Sequence, residues 1–141
     1  MNTLKGKVES IIESDNLSLV KVRIGNILLT SIVIDTIQTA PYLEEGRDIH
    51  VIFKETEVII GKWVSGSGRG SDDFQISLQN RIPGTIKSIV RGSLLSKVIL
   101  ATEIGKVSSI ITDNAVNQLN LEIGDEVTAM IKTNEMMLSN D

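Results

Sequence analysis

Along most of this chain apolar and polar residues alternate with a period of two, the pattern of strands that bury one face and wet the other. Residues 17–24 show it most plainly, with Leu17, Leu19, Val20, Val22 and Ile24 apolar around Lys21 and Arg23. Residues 4–12 alternate more loosely and predict a first strand, in which Gly6 marks a bend or bulge. Ser14-Asp15-Asn16 is a turn signal and Gly25-Asn26 a hairpin signal. The nearly continuous apolar run 27–34 predicts a third strand. Asp35 suits the N-cap of a short helical turn ending near Pro41. After the turn signal Glu44-Glu45-Gly46, residues 49–53 and 58–60 predict the last two strands.

The whole pattern then occurs a second time. At one constant, ungapped offset of 78 residues, Gly6 falls on Gly84, Ser10-Ile11 on Ser88-Ile89, and Leu17-Ser18 on Leu95-Ser96. The same offset places Ser31-Ile32 on Ser109-Ile110, Asp35 on Asp113, Leu43-Glu44 on Leu121-Glu122, Gly46 on Gly124, and Lys54 on Lys132. Apolar positions match by class where they do not match by identity, as in Val8/Ile86, Val22/Leu100 and Ile60/Leu138. The chain is a tandem duplication. The second copy is predicted to place strands at 82–90, 96–102, 106–112, 127–132 and 136–138, with Thr112 or Asp113 capping a helical turn over 115–119. Five short strands with one helical turn between the third and fourth is the order of an OB-type Greek-key barrel. The predicted fold is all-β, two such barrels in tandem: residues 1–63, a Gly/Ser linker at 64–73, and residues 74–141. Ahead of the second unit, Phe74, Ile76 and Leu78 alternate and predict an additional strand over 74–79. The first unit has no counterpart, since Met1 directly precedes Asn2, the partner of Asn80.

Composition narrows the chemistry. Hydrophobic residues make up 41% of the chain's 141 residues but aromatics only 3%, so the core must be aliphatic. Units of about sixty residues are marginal alone, so they are expected to bury surface against each other or against another chain. The absence of cysteine removes disulfides and thiolate metal sites, and a single histidine, His50, removes multi-histidine centres. His50 itself suits a surface or interface position. No apolar run is long enough to span a bilayer and no signal-peptide pattern opens the chain, so a soluble cytoplasmic protein is expected. The net charge of −4 leaves neither half the basic excess that nucleic acid requires, and Tyr42, Phe53, Trp63 and Phe74 are too scattered for a stacking platform. Gly66-Ser67-Gly68-Arg69-Gly70 lacks the Gly-Lys-Ser/Thr ending of a phosphate loop. Glu44, Glu45 and Glu122 fall in turns without a base or nucleophile beside them, so no catalytic set is predicted.

The second unit carries a family resemblance. ISLQNRIPGTIKSIVRG at 76–92 and VSSIITDNAVNQLNLEIGDEVTAMIKTNEMML at 107–138 together resemble the molybdate-binding Mop domain, a subset of the TOBE family. That family opens on Ser-x-Arg-Asn, runs Ile-Thr-x-x-(Ser/Ala)-Val to a Leu-x-x-Gly-x-x-Val turn, and closes near Lys-(Ala/Thr)-(Ser/Asn). The resemblance covers residues 76–139, and residues 2–61 look like a diverged copy, as in paired-Mop proteins. It implies a non-enzymatic protein that binds molybdate or tungstate at unit or subunit interfaces and needs no organic cofactor. It also implies a homo-oligomer, a dimer, trimer or higher, in which leading strands are exchanged between subunits. Such pairs serve in molybdenum storage and homeostasis, or as the sensing module of a molybdate-responsive regulator or transporter. A structural OB pair that has lost its ligand is a third reading.

Carried over residue by residue, Ser77 and Asn80 fall on the opening motif and Gln79 on its arginine. Ser93, Leu94, Leu95 and Ser96 fall on a loop whose backbone amides can hold an oxyanion, Thr112 on the Ile-Thr pair, and Lys132 and Thr133 on the closing motif. The expected roles are charge complementarity from Lys132, hydroxyls from Thr112 and Ser77, and amides from Ser93–Leu95. Gln79 donates a hydrogen bond but brings no charge, which weakens attraction for a dianion. In the first unit Ile34 stands for Thr112 and Asp15 lies where the amide loop should hold an anion, leaving Lys54. A tetrahedral oxyanion offers only acceptors, so a site for it needs donors and one or two cations rather than acids or bases. The site is therefore expected chiefly on the second unit, with the first as scaffold or donor of one wall.

Overall fold

A computed structural model describes residues 1–34, 40–62 and 76–140. The capped turn expected from Asp35, the linker at 64–73 and Phe74 lie outside these described residues. The first half forms β1 (Asn2–Ser14), β2 (Leu17–Ile24), β3 (Ile27–Val33), β4 (Asp48–Phe53) and β5 (Ile59–Gly61). The second forms β6 (Asn80–Val90), β7 (Leu95–Thr102), β8 (Gly105–Thr112), α1 (Asp113–Gln118), β9 (Glu126–Ile131) and β10 (Met137–Ser139). Short 3-10 turns at Glu55–Glu57 and Thr133–Glu135 precede β5 and β10. Thr112 caps α1, its hydroxyl accepting from the Ala115 amide at 3.1 Å. Among the described residues no helix is long and apolar enough to cross a membrane.

The strands build two five-stranded antiparallel sheets, ordered β10-β4-β1-β2-β3 and β5-β9-β6-β7-β8. Each sheet thus takes four strands from one half of the chain and its closing strand from the other. Met137 and Leu138 pair with Ile52 and Val51, while Ile59 and Ile60 pair with Met130 and Ala129. The tandem barrels are those expected, but they are not self-contained: the closing strands cross over. Lys62 fixes one crossing end, its ammonium donating to the Asp125 carboxylate at 2.9 Å and to the Asn120 carbonyl at 2.7 Å. The additional strand expected over 74–79 does not form within its described part. Residues 76–79 run irregularly, and the Arg81 guanidinium, not a neighbouring strand, donates to the carbonyls of Ile76 and Leu78, each at 3.0 Å.

The duplication extends to the bulges and the turns that brace them. The β1–β2 register shifts between Val8 and Ser10, and the β6–β7 register shifts between Ile86 and Ser88. Beside each bulge a turn glycine with positive φ, Gly46 (87°) or Gly124 (95°), donates its N–H to the carbonyl of Val8 or Ile86. Inward residues of both sheets merge into one core, aliphatic apart from Phe53, with Val8, Val20, Leu29, Val51 and Phe53 from the first half and Ile82, Ile86, Val98, Leu100 and Ile131 from the second. At a typical 1.5–3 kcal/mol for each fully buried side chain of this kind, that shared core is what makes two marginal units one stable body.

Where β1 crosses its hairpin partner, a Cβ on Gly6 would lie 2.7 Å from the Arg23 carbonyl oxygen. Backbone cannot yield there as a flexible side-chain end could. Gly6→Ala is expected to destabilise the protein by about 1–3 kcal/mol, measured as a lower urea midpoint at unchanged m-value.

The halves are also clamped by two buried asparagines. Asn80 presents its carboxamide to the outer edge of β3, accepting from the Thr30 N–H at 2.6 Å and donating to the Thr30 carbonyl at 2.8 Å. Asn2 does the same on the outer edge of β8, with 2.8 Å bonds to the Ser108 N–H and carbonyl. A carboxamide has the donor and acceptor of a peptide group, so each asparagine acts as one residue of a missing neighbour strand and covers an exposed edge. Matching hydroxyls add a second tie, Ser31 to the Met136 carbonyl and Ser109 to the Val58 carbonyl, both at 2.7 Å.

Candidate functional site

A cleft opens between the halves where β9 ends. Lys132 is extended (φ −69°, ψ 149°) and leads into the turn at Thr133–Glu135, which packs against β3. The segment ahead of β6, held by Arg81, brings Ser77, Leu78 and Gln79 to the same place. On the first half, Leu19 of β2 and Ile32 of β3, directly paired across the hairpin, complete the lining. The cleft measures about 320 Å³ and joins Ser77, Gln79, Lys132 and Thr133 to the apolar Leu19, Ile32 and Leu78. None of these lining residues is acidic. Two hydroxyls, a carboxamide and an ammonium supply donors and one positive charge, and the apolar wall displaces water that would otherwise screen that charge.

The remaining expected ligands lie elsewhere. Asn80 is fully buried and its carboxamide is committed to Thr30, so the structure gives its side chain the task of an inter-unit clamp. Ser93 and Leu94 lie in the turn between β6 and β7, Leu95 and Ser96 open β7, and Leu95 pairs with Thr112. An internal carboxylate takes up donors of this turn. Asp113 Oδ1 accepts from the Ser96 hydroxyl at 2.7 Å, and Arg91 bridges both of its oxygens. The Arg91 guanidinium, followed by the Ser96 hydroxyl, holds the Asp113 carboxyl below the usual carboxylate range. Leu94 is 78% exposed while its carbonyl accepts from the Asp113 N–H at 2.9 Å. The Thr112 hydroxyl oxygen accepts from the Ala115 amide, which leaves its O–H as a donor. Lys54 precedes the turn at Glu55–Glu57, which packs against β8, on the other side of the internal twofold from Lys132. The single constellation expected from the sequence is therefore divided: four of its residues share the cleft, while the turn, Thr112 and Lys54 belong to the β7–β8 side.

Leu19, Ile32 and Leu78 escape a motif-based reading because apolar strand positions look alike whether they face a core or a cleft. The usable signal is that Leu19 matches Lys97 in the repeat, a reversal of character at a position that otherwise corresponds.

Residues 76–138 match the TOBE domain model. Molybdenum-pterin-binding protein 1 of Clostridium pasteurianum is 33% identical over 66 residues, 46% of this chain and 97% of the relative. A probable molybdenum-pterin-binding protein of Haemophilus influenzae is 38% identical over 66 residues, 46% of this chain and 96% of the relative. The crystal structure of the cytoplasmic molybdate-binding protein ModG, with molybdate bound, superposes with a TM-score of 0.87 at 25% identity. That superposition covers 99% of this chain and 96% of ModG.

Proposed function

We propose, because this chain belongs to the TOBE-domain family in its molybdenum-binding branch, that it is a non-enzymatic protein that binds molybdate in the cleft between its halves. The observation that carries this reading is the lining of that cleft: Ser77, Gln79, Lys132 and Thr133 supply donors and a cation with no carboxylate among them. A tetrahedral dianion presents acceptors on every side, so donors alone can match it. Lys132 supplies the charge, Ser77 and Thr133 hydroxyl donors, and Gln79 an amide N–H. Leu19, Ile32 and Leu78 exclude water from one side. At about 30 Å³ per water, the cleft holds the ion together with several waters. The full-length likeness to ModG supports the same ligand class and a cytoplasmic place of action.

Tungstate, with nearly the same size and charge, is expected to bind as well, in a homo-oligomer serving molybdenum storage or homeostasis. Isothermal titration at neutral pH with molybdate, tungstate and sulfate tests the reading. Saturable heat from the first two, exceeding that from sulfate, is expected, and silence from all three would sink it.

A further inference from the structure

The internal twofold maps the cleft onto a second place in the molecule, and that place is already filled. Under the repeat, Lys132 and Thr133 correspond to Lys54 and Glu55, and Leu19 and Ile32 to Lys97 and Ile110. There the Glu55 carboxylate lies 3.0 Å from the Lys97 ammonium, with the Met1 amino nitrogen at 3.7 Å. Its side chain is 20% exposed, half the 41% of Lys97, so the carboxylate is the more enclosed partner. The bond from Lys97 holds the Glu55 carboxyl below its ordinary range. At the open cleft the same two positions carry Thr133 and Leu19, and neither is charged.

A carboxylate, like a tetrahedral oxyanion, offers acceptors only. We propose that Glu55 is a tethered stand-in for the oxyanion, closing a second anion site whose cations are Lys97 and the Met1 amino group. Of two sites related by the repeat, one is left open and the other is capped by the chain itself. Tethering gives the carboxylate an effective concentration in the millimolar range, which a trace oxyanion cannot displace. The Lys97 ammonium and the Met1 amino group already face that carboxylate, so positive charge for an anion is in place once Glu55 is removed. The inference rests on the open cleft being an oxyanion site.

The test replaces Glu55 with threonine, the residue at the matching position of the open cleft, and in parallel with glutamine. Each protein is dialysed to equilibrium against sodium molybdate, and bound molybdenum is counted per chain by elemental analysis. Partly exposed ion pairs contribute little stability, so both variants are expected to melt cooperatively near the parent. One additional molybdenum per chain is expected in Glu55→Thr and Glu55→Gln, and its loss is expected when Lys97→Ala is added. An unchanged count in both folded variants overturns the cap. If the parent binds no molybdate but the variants bind one, the open cleft fails as a site while the capped one stands. If none of the proteins binds, both readings fall.

Discussion

Asn80→Ala is expected to lower the stability of the protein by roughly 2–5 kcal/mol while leaving the lining of the cleft in place. The substitution removes both partners of the Thr30 backbone group. Thr30 is 7% exposed and Asn80 0%, so water cannot readily replace what is lost. A buried backbone donor or acceptor left unpaired costs about 1–3 kcal/mol, and two are orphaned together. For a chain of this size the thermal midpoint should fall by about 5–15 °C. Asn2→Ala should do the same through Ser108, because its two 2.8 Å bonds reproduce the clamp on the other sheet. Circular-dichroism melts in the absence of oxyanion make the measurement. Were Asn80 instead a ligand of the anion, its replacement would leave the melt unchanged and weaken binding, and that outcome would overturn the clamp.

Lys132→Ala is expected to behave in the opposite way. Lys132 is exposed and supplies the positive charge among the residues lining the cleft, so its loss should leave the melt close to that of the parent. A hydrogen bond to a charged group is worth about 1.5–3 kcal/mol, which corresponds to a roughly 10–150-fold loss of molybdate affinity. Salt provides an internal control. Added sodium chloride should weaken binding by the parent more than by the variant, since screening acts on the charge that the variant no longer has. Undiminished affinity in a folded Lys132→Ala protein would place the anion elsewhere.

Much of the fold is legible from the period-two pattern. The predicted second strand coincides with β2, and of the two predicted caps, Thr112 and Asp113, the observed one is Thr112; the bulge of β1 falls between Val8 and Ser10, not at Gly6, where the bend or bulge is predicted. The crossing of the closing strands is not legible, for a physical reason. Alternation tells which face of a strand is buried, not which sheet it joins, and Ile60 and Leu138 are interchangeable in class. Each can complete either sheet, and in the fold the turns at Glu55–Glu57 and Thr133–Glu135 pack against β8 and β3 of the opposite half as the chain crosses.

The site is less legible than the fold. The motif predicts Asn80 as a ligand, yet its partner Thr30 lies fifty residues away in sequence. The clue is in the repeat: asparagine stands at both Asn2 and Asn80, although the first half has lost Thr112's counterpart and the amide turn. A residue kept where the binding apparatus is not is better explained by a structural task. The position matching Thr133 carries the complementary message, because an acid there argues that the first half's site has changed its occupant.

The exchanged closing strands have a further consequence for how the two halves can change. Two separate copies completing each other's sheets would form a dimer that dissociates on dilution, and any substitution in such a dimer occurs twice. Here the partners are joined in one polypeptide, so their association is independent of concentration. A residue on one side can also be altered without its twin. Glu55 and Thr133 occupy matching positions with different chemistry, a difference that no assembly of identical copies could contain.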